Sequence, residues 1–246
     1  MLKKLKQLLT LPFEDFLSGL ERSLGQSAPF NIGLIVVLFV ISWWIYVPIH
    51  ELCHAFGCIL GGGTVTELEI SPKYGGAILE KLFPFVTSGS DYAGQLTGFD
   101  TGGNDVTYLL TDFFPFLLTI FIGVPLLRSA PLSAPLGASV KLGISLPIAF
   151  APFMSFSGDY YEMGSILVSR IAALFSPSFD INRLRSDDLF KLSRELFFSG
   201  GNYGIGDIAG VALSFLLGVV LIYATYFLGV LWGKILFNNV NKNRAS

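Results

Sequence analysis

Charge is scarce in this chain. Asp, Glu, Lys and Arg make up 14% of its 246 residues, against about 25% in an ordinary soluble domain. The net charge of −2 leaves no basic face for nucleic acid, which is excluded as a partner. Cysteine is rare, and Cys53 and Cys58 point in different directions on one predicted helix. That geometry excludes a mutual disulfide and leaves them as small packing residues. Histidine is equally rare, with two in the whole chain. That puts the His-rich ligand set of a di-iron desaturase out of reach.

Apolar residues fill the gap. They account for 52% of the chain, with 23 Phe among them, and mean hydropathy is +0.63. The composition predicts an integral, multi-pass membrane protein of the cell membrane. Residues 1–29 read as an N-terminal amphipathic, interfacial segment, with Leu2, Leu5, Leu8 and Leu9 beside Lys3, Lys4 and Lys6. Pro12, Glu14 and Asp15 interrupt its apolar run, which argues against a cleaved signal peptide. Residues 30–237 read as the membrane domain and 238–246 as a polar tail.

A span needs about 20 apolar residues. Phe30 to Leu60 supplies the first, and Trp43, Trp44 and Tyr46 on it mark an interface or line the bundle. Phe113–Leu127, Leu136–Phe156 and Ile208–Phe237 follow, with residues 160–175 as a further helical segment. Thr64–Ile70 alternates like a strand, and Ala77–Leu82 is expected to return as its partner. The stretch 87–112 reads first as a solvated loop. The predicted fold is thus an all-α polytopic membrane protein with four to five transmembrane helices and a small β-hairpin after the first. Lys3, Lys4, Lys6 and Arg22 place the N-terminus on the cytoplasmic side.

Both histidines fall in one motif, His50-Glu51-Leu52-Cys53-His54, of the form H-E-x-x-H. Positions i and i+4 share one helix face, so two imidazoles reach one metal ion. The intervening Glu51 stands where it takes a proton from water and later hands it to a leaving amine. Ionisable groups inside an apolar span are costly and mark function. A catalytic zinc takes three protein ligands, and no third His exists. Asp159 at the end of the third apolar run is the first candidate, with helix capping as its alternative role. Glu162 on the same face is the second, and Cys58 a distant third.

These features resemble the site-2 protease family of intramembrane zinc metalloproteases. The resemblance covers roughly residues 30–175. It rests on His50-Glu51-Leu52-Cys53-His54-Ala55, on the continuation Gly61-Gly62-Gly63-Thr64-Val65-Thr66-Glu67-Leu68, and on the downstream Asp159. In the family, Gly usually follows the Asp; here Gly158 precedes it and Tyr160 follows, so Glu162 stays open. The resemblance implies zinc held by His50, His54 and Asp159, with Glu51 as general base. It also implies a transmembrane protein as substrate, cut in or near its membrane segment within the lipid bilayer. The strand Thr64–Ile70 is expected to pair with the unwound substrate. Two other readings remain: a Glu-type membrane zinc protease acting on peptide ends, and an inactive relative that binds a membrane protein. The intact Glu51 favours an enzyme.

Overall fold

The computed structural model describes residues 2–25, 28–176, 178–198 and 203–243. An amphipathic helix α1 (Leu2–Leu24) leads into α2 (Ala28–Leu60). Strand β1 (Thr64–Ile70), a single turn α3 (Gly76–Leu79), and strands β2 (Val86–Ser88) and β3 (Gly94–Asp100) come next. Helix α4 (Asp105–Phe113) continues through a 3-10 turn and a π-turn into α5 (Val124–Ser129). Then follow α6 (Pro135–Ala149), α7 (Ala151–Met154), α8 (Asp159–Phe175), α9 (Leu189–Phe197) and α10 (Ile205–Asn243). The last three residues of the 238–246 tail lie outside the described residues.

Three helical runs among the described residues are long and apolar enough to cross a membrane: Ala28–Leu60, Asp105–Leu132 and Ile205–Phe237. This is fewer than the four to five expected. The run over 136–156 is broken. Helix α6 has 15 residues, about 22 Å at 1.5 Å per residue, short of a hydrocarbon core of roughly 30 Å. Pro152 explains the break, because it has no N–H to give the carbonyl of Ile148. The Thr119 hydroxyl donates to that carbonyl instead, at 2.6 Å. Helix α8 carries Asp159, Glu162 and Arg170 and does not reach the length or apolarity of a span. The second span begins earlier than expected, because the Asn104 side chain caps α4 by accepting from the Val106 N–H at 2.9 Å.

The expected β-hairpin is instead a three-stranded sheet of order β2-β1-β3. Residues 77–82 form a helical turn and loop, closed by the Glu80 N–H on the Gly76 carbonyl at 2.9 Å. Ile78 and Leu82 on it are exposed. β1 pairs in parallel with β2 and antiparallel with β3. The stretch 87–112 is therefore structured: it carries β3 and the first turns of α4. Leu68, Ile70 and Val86 bury the sheet's inner face against Leu52 and Ala55 of α2. A second core joins Tyr46, Phe116, Ala151, Tyr160 and Ile222, tying α2, α8 and α10 together around the motif.

Helix α1 is anchored to the bundle. Asp15 Oδ2 accepts from Arg128 Nη1 and from the Tyr226 hydroxyl, each at 2.8 Å. Burial pushes the Asp15 carboxyl above the usual carboxylate range, against the pull of Arg128. Leu5, Leu8, Leu9, Phe13 and Leu17 remain exposed on the other face, as suits a helix lying in a membrane interface.

Candidate metal centre

His50 and His54 sit one turn apart, about 33 Å along α2 from its start. Their Nε2 atoms face each other at 3.2 Å. Two nitrogens bonded to one tetrahedral zinc at about 2.0–2.1 Å stand about 3.4 Å apart, so the spacing matches a shared ion. Asp159 completes the group: Oδ2 lies 3.7 Å from His50 Nε2 and Oδ1 3.8 Å from His54 Nε2. These gaps are too long for hydrogen bonds and leave room for a cation between the donors. All three ligand atoms fall within 4.8 Å of one another. The side chains are 12%, 11% and 23% exposed for His50, His54 and Asp159. The group is one that could hold a metal ion, and two imidazoles with a carboxylate suit zinc.

The surrounding shell orients these donors. His54 Nδ1 lies 2.8 Å from the Thr111 carbonyl. A carbonyl only accepts, so Nδ1 carries the proton and Nε2 presents its lone pair to the gap. Pro115 is the reason that carbonyl is free, since it has no N–H to return to Thr111 one turn back. The approach of α4 to α2 depends on Gly57, where a Cβ would stand 2.5 Å from the Leu110 carbonyl oxygen. His50 Nδ1 lies 2.8 Å from the Tyr46 hydroxyl, which accepts from it in the tautomer that frees Nε2.

Asp159 is the first residue of α8, and Gly158 occupies the cap position without a side-chain capping bond. The capping role weighed for Asp159 is therefore not the one it has. The polar stretch 178–198 braces the turn before it. The Leu189 N–H donates to the Ser157 carbonyl at 2.8 Å, and Arg185 pairs with Asp105 at the start of α4 at 2.7 Å. Glu162 is buried one turn beyond Asp159 and accepts from the Tyr108 hydroxyl at 2.6 Å. It is not part of the three-donor group found among the described residues. Cys58 is buried, and its thiol points to the Thr64 carbonyl at 3.7 Å.

Glu51 follows His50 directly and is covered by the start of β3. A Cβ on Gly94 would lie 2.5 Å from Glu51 Cγ, so only glycine lets the strand lie this close. Among the described residues β3 pairs with a strand on one side alone, which leaves its other edge available for a further strand.

Tyr46, Thr111, Pro115 and Gly94 did not emerge from the sequence as parts of the site. Two local signals were available: Tyr46 stands one turn before His50, and Pro115 one turn after Thr111. Nothing local pointed to Gly94. Comparison with family models, curated proteins and solved structures finds no match.

Proposed function

We propose that this protein is an intramembrane zinc metalloprotease of the site-2 type, acting in the cell membrane on transmembrane segments of other proteins. The observation that carries this reading is the pair of facing Nε2 atoms 3.2 Å apart, closed by the Asp159 carboxylate. In this reading His50, His54 and Asp159 hold the ion. Bound there, zinc would supply Lewis-acid chemistry, polarising a carbonyl and making water acidic enough to serve as nucleophile near neutral pH.

The chain's own residues do the rest. Glu51, packed under β3, accepts a proton from the attacking water and returns it to the departing amine. Thr111 and Tyr46 keep the imidazoles aimed while charge develops. A transmembrane helix hides its scissile carbonyl in its own hydrogen bonds, so the substrate unwinds before it is cut. The unwound segment was expected to pair with β1. β1 is the central strand: β3 pairs with it from Thr64 to Ile70, but β2 covers only Leu68–Ile70, so Thr64–Glu67 keep an edge without a strand partner among the described residues. The outer edge of β3 is a second candidate, because its first residue touches Glu51, and pairing there would deliver extended backbone to the site. The bond of Glu162 to Tyr108 weighs against the Glu-type alternative.

The test is zinc content and cleavage of a transmembrane substrate by the detergent-purified protein. About one zinc per chain is expected, lost in Asp159→Ala and kept in Glu162→Ala. Glu51→Gln keeps the metal and stops cleavage. A wild-type protein that takes up no zinc and cuts nothing overturns the proposal in favour of a non-catalytic binding partner.

A further inference from the structure

A cavity of about 170 Å³ opens beside the metal centre. Of the three metal-binding candidates, only His50 lines it, together with Glu51. From there it runs back along α2, past Tyr46 and Val47 to Trp43, and is walled across the gap by Ala151 and Met154. Val47 and Ala151 are buried, whereas Met154 is 51% exposed and forms the rim. The cavity thus joins Glu51 and His50 to the exposed Met154.

We propose that this pocket is a specificity subsite that receives one branched aliphatic or aromatic side chain of the substrate, from a residue flanking the scissile bond. The inference rests on the protease reading above and adds the side-chain class that the site selects. Three observations carry it. The first is size: an apolar protein cavity of about 150 Å³ takes up one benzene, so about 170 Å³ accommodates a ring or a leucyl group. A lipid acyl chain needs a much longer channel. The second is chemistry, because Trp43, Val47, Ala93, Ala151 and Met154 offer apolar surface, beside Tyr46, His50, Glu51 and Ser155.

The third is placement. Ala93 also lines the pocket, and it directly precedes Gly94, where the open edge of β3 begins. The Ala93 carbonyl is held by the Ser71 N–H at 3.1 Å, which fixes this wall to the sheet. A peptide lying extended along β3 turns alternate side chains to opposite faces. One of them meets the pocket where its backbone meets Glu51. The two alanines, Ala93 and Ala151, face the space from different elements, and their small size keeps it open.

The experiment compares kcat/KM for transmembrane substrates that differ only in the residue on either side of the cut, Leu against Ala. Wild type is expected to favour Leu at one of the two positions by about 10-fold or more, the discrimination an apolar pocket provides. Ala93→Leu and Ala151→Leu fill the pocket from different walls and are expected to reduce that ratio to within about 2-fold. The ratio is the readout, and zinc content reports folding. Ala151 is packed in the core, so Ala93→Leu decides the matter if Ala151→Leu does not fold. A wild type that cuts both substrates equally, or filled variants that keep the preference, overturns the subsite. A wild type that cuts neither substrate overturns the protease reading and the subsite with it.

Discussion

Gly94 lies directly on Glu51, so close that a Cβ at position 94 would stand 2.5 Å from Glu51 Cγ. The contact couples the start of an edge strand to the acid beside the two histidines. Gly94→Val must displace one or the other. Misplacing a catalytic group by about 1 Å costs about 100-fold in rate, so kcat is expected to fall by that order. His50, His54 and Asp159 are not touched, so on the proposed function zinc content is expected to stay at the wild-type level.

Tyr46→Phe removes the hydroxyl that meets His50 Nδ1 at 2.8 Å. Loss of such an outer partner weakens metal binding by about 10- to 100-fold. A chelator-competition titration is expected to show a drop in that range. An unchanged affinity would mean that Tyr46 does not orient His50.

Pro115→Ala supplies an N–H one turn after Thr111, able to compete for the carbonyl that His54 uses. Zinc affinity is expected to fall by about 10-fold, the lower end of outer-partner effects. Thr111→Val is the contrasting variant. It keeps the backbone carbonyl and removes the bond from the Thr111 hydroxyl to the Thr107 carbonyl and its interaction with the Cys58 thiol, neither of which involves His54, so affinity is expected to hold.

Zinc is expected to stabilise the folded protein by linkage. At 100 times Kd the gain is about 2.7 kcal/mol, seen as a higher Tm in detergent that a chelator reverses. Asp159→Ala is expected to abolish the zinc-dependent rise, whether or not a substrate is known.

Asp15→Ala cuts the anchor between α1 and the bundle, leaving Arg128 and Tyr226 without their shared acceptor. Stranding such partly buried donors costs about 1–3 kcal/mol. Tyr226→Phe, which removes one neutral donor, is expected to cost about 1 kcal/mol. Thermal unfolding of the two variants in detergent orders these effects.

The parts legible in the sequence are those that repeat over one helical turn or depend on bulk composition. His50, Glu51 and His54 lie within five consecutive residues, and the α-helix alone brings the imidazoles to one face. The spans of α2 and α10 follow from long apolar runs that no local signal interrupts. β1 follows from its alternation, which bears one face for Leu68 and Ile70. The third strand was missed because Gly94 and Gly98 weaken its strand signal. Both are required by close approach, to Glu51 and to Thr66 and Glu67 respectively.

By itself, then, the sequence determined long apolar helices fit to cross a membrane and two imidazoles on one helix face that could share a metal ion, because helix geometry is a short-range property. Only the tertiary structure decided which distant groups meet them. Asp159 reaches the pair because the apolar run breaks around Pro152 and α8 starts anew at Asp159, with its carboxylate 3.7 and 3.8 Å from the two Nε2 atoms. The Thr111 carbonyl reaches His54 because Gly57 lets α4 close on α2. β3 lies at an edge of the sheet while β1 is central and left without a second partner only over Thr64–Glu67, because strand order depends on long-range pairing that one strand's own residues do not specify.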